Sequence, residues 1–187
     1  MNRYLDIRLR PDPEFSAALL MGALYGKLHR TLFDLHSADI GVSFPKHGLK
    51  PRTIGDVLRL HGNTESLQRM MARNWLNGMR DHAIIGEMLP VPEAVQYRIV
   101  SRRQFKTNVE RLRRRRAKRH GETLEQARAQ IPDSVERTVQ LPFIQLNSRS
   151  TAQRFCLFIE HGELRHTAAE GTFNQYGLSN NATVPWF

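Results

Sequence analysis

Residues 4–10 alternate strictly. Leu5, Ile7 and Leu9 are apolar, and Tyr4, Asp6, Arg8 and Arg10 flank them. A period of two marks a strand with one buried face. Pro11 and Pro13 end it, and from residue 14 to about 36 the spacing turns helical through Phe15, Ala18, Leu19, Gly22, Leu28, Leu32 and Phe33. Short apolar runs follow at 40–44 and 57–60, the latter closed by the turn residues His61-Gly62-Asn63. Asn63 or Thr64 caps a second helix to about residue 77, and Ile84-Ile85 with Met88-Leu89 forms a last strand before Pro90 and Pro92. The order β-α-β-β-α-β predicts an α+β fold with an N-terminal ferredoxin-like domain over residues 1–92. That topology hosts many unrelated activities, so function has to be argued from the site.

Residues 93–187 read as a smaller α+β domain. An extended stretch covers 97–106, helices cover 109–120 and 122–130, and Gly121 separates them. A strand is expected at 139–147, and a hairpin from 154–160 and 164–167 around His161-Gly162-Glu163. An aromatic, turn-rich tail runs from 173 to 187. The chain carries 28 Lys and Arg against 18 Asp and Glu, and residues 102–119 hold ten of those bases and one of those acids, Glu110. Nearly all the excess charge is thus focused in one segment, which draws a polyanion. A solvated basic tail is the plain alternative, but about seventy residues of patterned sequence follow it.

Arg111, Arg114, Arg115, Lys118 and Arg119 follow i, i+3, i+4, i+7, i+8, which lines five cations along one helical stripe. Like charges at this spacing repel, and a phosphate-lined ligand relieves the repulsion. B-DNA accepts a helix in its major groove. The deep groove of A-form RNA admits one only near a loop or helix end, which points to a short hairpin. Arg102 and Gln104 alternate on the extended stretch, the spacing at which Arg reads guanine and Gln reads adenine. A surface strand with solvated polar residues is the more ordinary reading of these two residues.

RNA is cut without metal when a base removes a 2′-OH proton, and histidine suits that task. Of eight histidines, none sits in a metal-ligand spacing. His29 lies in the first helix beside the apolar positions. Asn147-Ser148-Arg149-Ser150-Thr151 follows a strand and offers hydroxyls for a phosphate or ribose, or simply an ordinary turn. Phe155 and Tyr176 read as packing aromatics, and Phe155 could instead stack on a base pair. The single cysteine, Cys156, fits a reducing compartment, and neither a secretory leader nor an 18-residue apolar span is expected.

Taken together, these blocks resemble the CRISPR repeat-processing endoribonucleases of the type I-F (Csy) system. The likeness runs from the segment beginning Tyr4-Leu5-Asp6-Ile7-Arg8 through Gly41-Val42-Ser43-Phe44-Pro45, Glu110-Arg111-Leu112-Arg113-Arg114-Arg115, Leu141-Pro142-Phe143 and Tyr176-Gly177-Leu178-Ser179 to Val184-Pro185-Trp186-Phe187. The resemblance implies an enzyme that binds the repeat stem-loop and cuts at its 3′ base with no metal or cofactor. Its catalytic histidine falls on His29, the serine that positions the ribose on Ser148 with Ser150 close by, and the supporting tyrosine on Tyr176. Base reading falls on Arg102 and Gln104, and stacking under the last base pair on Phe155. The groove-entering helix matches Arg114, Arg115, Arg119 and His120; Arg111, Lys118 and Thr151 complete the expected RNA-binding set. Implied partners are the repeat RNA, the mature guide RNA and the other subunits of a surveillance complex, in a prokaryotic cytoplasm. Lys118 departs from the expected arginine, and Val109 from a helix-starting proline. The competing readings are a non-catalytic RNA-hairpin-binding subunit and a DNA-binding regulator.

Overall fold

The structure is a computed structural model and describes residues 1–105, 109–133, 139–148 and 153–187. These residues divide into two compact units. The larger comprises Met1–Arg103 and Leu141–Phe187, and the smaller Gln104–Gln140.

In the larger unit, β1 (Arg3–Leu9) buries Leu5, Ile7 and Leu9, as a half-buried strand must. Helix α1 (Ala17–Asp34) begins at Ser16, whose hydroxyl accepts the Leu19 N–H and so satisfies one orphan donor of the first turn. Its buried residues, Leu20, Met21, Leu24, Tyr25, Leu28 and Leu32, follow the helical period. Strand β2 (Gly41–Ser43), the short pair β3 (Gly48–Leu49) and β4 (Arg52–Thr53), and β5 (Val57–Gly62) come next. Helix α2 (Thr64–Met71) is capped by Asn63 and ends sooner than the spacing predicts. Beyond Ala72 the chain turns so that Trp75, Leu76 and Met79 enter the core.

The expected last strand is two strands, β6 (Ala83–Ile85) and β7 (Leu89–Pro90), both paired with β1. Gly86 lies between them and donates its N–H to the Asp6 carbonyl at 2.8 Å. A side chain at Gly86 would stand 3.0 Å from that oxygen. The antiparallel sheet has the order β2-β5-β1-β6, with β7 also on β1.

The extended stretch at 97–106 is likewise two strands, β8 (Gln96–Arg98) and β9 (Val100–Arg103), in different sheets. Strands β10 (Phe143–Asn147) and β11 (Arg154–His161) complete a second antiparallel sheet of order β10-β11-β9. The hairpin expected between 154–160 and 164–167 does not form. Past β11, Gly162 donates to the Ile99 carbonyl and its own carbonyl accepts from the Arg98 guanidinium, so β11 pairs with β9 instead. Of the lost strand, Arg165 keeps a single bridge to Tyr97. The tail is more ordered than its turn-rich composition predicts. It closes as β12 (Val184–Trp186) on β8, and Phe173, Leu178 and Val184 are buried. Ile144, Leu146, Leu157 and Ile159 of the second sheet join one core with α1 and β1.

The smaller unit consists of helices α3 (Val109–His120) and α4 (Leu124–Gln130). Gly121 adopts φ +65° after α3, and the Glu122 N–H bonds back to the Ala117 carbonyl, which closes the helix end. Thr123 and Gln126 form a reciprocal capping box at α4.

Candidate active site and nucleic-acid interface

The second sheet faces α1 along one side, and its period of two decides which side chains share that side. Leu146 and Phe155 are direct partners across β10 and β11, and Ile159 stands opposite Arg102 across β11 and β9. Ile144, Leu146, Leu157 and Ile159 point into the core. By the same alternation Arg102 and Phe155 belong to that face, and so does Ser148, one residue beyond β10.

Helix α1 comes close to β10 because Gly22 has no side chain. A Cβ there would stand 2.6 Å from the Gln145 carbonyl oxygen. Gly26, one turn on, lies near Leu146, and a Cβ there would be 3.9 Å from its methyl. His29 continues this stripe, three residues after Gly26 and seven after Gly22. The two glycines therefore bring the C-terminal end of β10 alongside His29. His29, Ser148, Phe155 and Tyr176 line one cleft of about 660 Å³ between α1 and the sheet. Arg30, Phe33 and Asp34 of α1 form its outer wall.

The tail orients the imidazole. Asn174 organises a tight turn in which its side-chain oxygen accepts the Tyr176 N–H at 2.8 Å and its carbonyl accepts the Gly177 N–H at 2.8 Å. Gly177 has φ +69° and its carbonyl accepts the Val42 N–H at 2.9 Å, which ties the turn to β2. From this turn the Gln175 carbonyl oxygen lies 2.9 Å from His29 Nδ1. A carbonyl only accepts, so Nδ1 carries the proton and the neutral ring keeps its lone pair on Nε2.

Tyr176 backs the ring. The two ring centroids are 3.9 Å apart and the planes 7° from parallel. Tyr25, fully buried in α1, donates its hydroxyl to the Tyr176 carbonyl at 2.6 Å. Burial pushes the Tyr25 phenol well above its usual range, so it stays a donor. The Arg102 guanidinium stands 5.5 Å from the Tyr176 ring centre, within cation–π reach. His29 and Tyr176 thus stack in one cleft with Ser148 and a half-buried Phe155, and Arg102 stands over the Tyr176 ring. The group offers a base with a defined tautomer, a hydroxyl, a cation and an aromatic surface.

Gln104 stands past the end of β9 and is exposed, so the strand alternation that pairs it with Arg102 in sequence stops at Arg103. Arg103 itself is ion-paired with Glu160 at 2.6 Å. Ser150 and Thr151 lie outside the described residues. Sequence reasoning missed the Gln175 carbonyl, Tyr25 and Gly26. The Gly22/Gly26 spacing, small residues one turn apart, carried a signal of close helix approach; a main-chain carbonyl carries none.

In the smaller unit, α3 sorts its cations by burial. Arg113 is buried and bonds the Ile131 carbonyl, Asp133 and Glu110. The Arg113 hydrogen bond holds the Glu110 carboxyl below its usual range. Arg116 bonds both oxygens of Glu122, at 2.9 and 3.0 Å. Arg111, Arg114, Arg115, Lys118, Arg119 and His120 are exposed. Thus the arginines outside the predicted stripe hold α3 to its own unit, and the stripe faces solvent.

Among the described residues no helix is long and apolar enough to cross a membrane. The family model for CRISPR-associated proteins of the Cas_Csy4 type matches residues 4–187. A protein named CRISPR-associated endonuclease Cas6/Csy4 from Pseudomonas aeruginosa (strain UCBPP-PA14) is 52% identical over 187 residues, all of both chains. One of the same name from Escherichia coli (strain UTI89 / UPEC) is 46% identical over 187 residues, again all of both chains.

Proposed function

The chain belongs to the Cas_Csy4 family of CRISPR-associated proteins, and from that premise we propose that it is a metal-independent endoribonuclease that binds the CRISPR repeat stem-loop and cuts at its 3′ base. The observation that carries this reading is the 2.9 Å contact between His29 Nδ1 and the Gln175 carbonyl oxygen. With Nδ1–H committed to the Gln175 carbonyl, Nε2 is the basic nitrogen, and His29 lines the same cleft as Ser148.

In this mechanism Nε2 takes the 2′-OH proton of the nucleotide before the scissile phosphate. The 2′ oxygen attacks phosphorus, the bond to the 5′ oxygen breaks, and that oxygen leaves and takes up a proton. The products are a 2′,3′-cyclic (or 3′) phosphate and a 5′-OH. Ser148 holds the ribose for in-line attack, and positioning of this kind is worth several kcal/mol of barrier. Tyr176 keeps the imidazole plane fixed. Phe155 stacks under the last base pair of the stem, and Arg102, with Gln104, reads bases near the cut.

The stripe Arg111, Arg114, Arg115, Lys118 and Arg119, with His120, grips the stem; Ser150 and Thr151 belong to the RNA-binding set. Residues 1–92 act as a ferredoxin-like domain bearing the base, a reading supported by the order β2-β5-β1-β6 around two helices. Residues 93–187 act as the RNA-binding domain. The enzyme retains its product and joins the other subunits of a type I-F surveillance complex in a prokaryotic cytoplasm.

The test is cleavage of repeat RNA from the host's own CRISPR array in EDTA, with end-group analysis. Wild type cuts, one 2′-deoxy substitution at the attacking nucleotide stops cutting without loss of binding, and His29→Ala does the same. Normal cutting of the deoxy substrate overturns the mechanism. Binding without cutting by wild type would leave the non-catalytic hairpin-binding subunit.

A further inference from the structure

A second groove, of about 580 Å³, lies beside the cleft that holds His29. It is formed by the first turns of α1, by β4 and by strands β10 and β11. Gly22, Ala23 and Asn147 line both, so the two are continuous. Strand alternation separates their chemistry. Ser148 and Phe155 serve the cleft alone, Gln145 and Arg154, on the opposite parity, serve the groove alone, and Asn147 borders both.

Among the described residues, the groove lining holds two arginines, Arg52 and Arg154, and no carboxylate. The Arg52 guanidinium rests 5.0 Å over the Phe143 ring, which holds the cation in place on the groove wall. Gln145 and Asn147 add exposed amides to the same lining. Cations, amides and an aromatic along one groove make a track for a phosphate chain rather than for a folded duplex.

We propose that this groove is the exit track for single-stranded RNA on the 3′ side of the cut, with its phosphates on Arg52 and Arg154. The proposal rests on the ribonuclease reading above. In that reading the stem ends on Phe155 and the scissile phosphate sits between His29 and Ser148, so the strand beyond the cut continues where the cleft continues.

The test uses the full chain and three RNAs, each with a 2′-deoxy nucleotide before the scissile bond so that none is cut. One ends at the cut, one carries a short 3′ extension and one a short 5′ extension. Fluorescence anisotropy across a salt series reads affinity. Wild type binds the 3′-extended RNA about fivefold or more tightly than the hairpin alone, with a salt slope steeper by about 0.7 per added phosphate contact. The double variant Arg52→Ala/Arg154→Ala loses that gain and keeps its affinity for the hairpin. Arg52→Lys/Arg154→Lys recovers part of it, which separates lost charge from lost fold. Equal binding of the 3′-extended RNA by wild type and the alanine pair, or a gain that follows the 5′ extension instead, overturns the proposal. Failure of wild type to bind the hairpin at all overturns the ribonuclease reading itself.

Discussion

The imidazole of His29 lies flat on the phenol ring of Tyr176, 3.9 Å between centroids, while Tyr176 is itself held through its carbonyl by Tyr25. The contacts that fix the imidazole therefore run through the Gln175 carbonyl and the ring face of Tyr176, whose main chain Tyr25 holds. Tyr176→Phe keeps the ring face and should leave the single-turnover cleavage rate within about threefold. Tyr176→Leu removes the flat support. A misplaced base of this kind costs on the order of 10²-fold in rate. RNA affinity, measured in parallel by filter binding, should change little for either variant. Loss of cleavage in Tyr176→Phe equal to that in Tyr176→Leu would assign the role to the hydroxyl.

Gly22 is the contact point of α1 and β10. An added Cβ would stand 2.6 Å from a main-chain oxygen, which cannot swing aside. Gly22→Ala should lower the urea midpoint by the equivalent of about 1–3 kcal/mol, the usual range for overpacking. It should also slow cleavage, because it pushes His29 from the end of β10. Gly78, which has φ +73° but open space around it, provides the contrast: Gly78→Asn should affect stability less and cleavage not at all.

The exposed and buried arginines of α3 should separate in experiment. Arg115→Ala should leave the thermal melt unchanged, weaken hairpin binding and lower the salt slope by about one. Arg113→Ala should lower the melting temperature, because the buried guanidinium bonds the Ile131 carbonyl, Asp133 and Glu110. Identical melts for the two variants would refute this division of labour.

Stability should fall with acid. Burial pushes His61, which is hydrogen-bonded to the Ser43 hydroxyl at 2.8 Å, down to about 3. Burial likewise pushes His161, stacked on His47 at 3.6 Å, down to about 2. Unfolded, each titrates near 6.5. Above that value both forms are neutral and the full stability is present. As the pH drops below it, the unfolded chain takes up protons that the folded chain refuses. Each histidine then subtracts up to about 1.4 kcal/mol per pH unit until its folded value is reached. Urea midpoints between pH 7 and pH 4 measure the slope, and His161→Phe should flatten it by one histidine's share.

Much of the larger unit was legible because alternation and helical spacing are local. Residues 4–10 and the first helix, and in the smaller unit the basic helix, follow directly from which residues repeat and how often. The misread segments share a cause. The end of α2, the split at Gly86 and the lost strand at 164–167 depend on partners distant in sequence: the core that takes Trp75, the Asp6 carbonyl, and the Ile99 and Arg98 groups that hold Gly162. Hydrophobic pattern states that a segment is strand-like; it does not name the edge on which the strand pairs.

The amino-acid order alone determined the charge stripe of α3, the half-buried first strand and the residue types that the proposed cleavage draws on. Tertiary structure decided which nitrogen of His29 is basic, what keeps its ring in plane and which of the α3 arginines face solvent. Those depend on a main-chain carbonyl at 175, a tyrosine 147 residues away along the chain from His29, and buried carbonyls and acids around Arg113. A carbonyl is the same in every residue, and proximity across such a separation exists only once the core has closed.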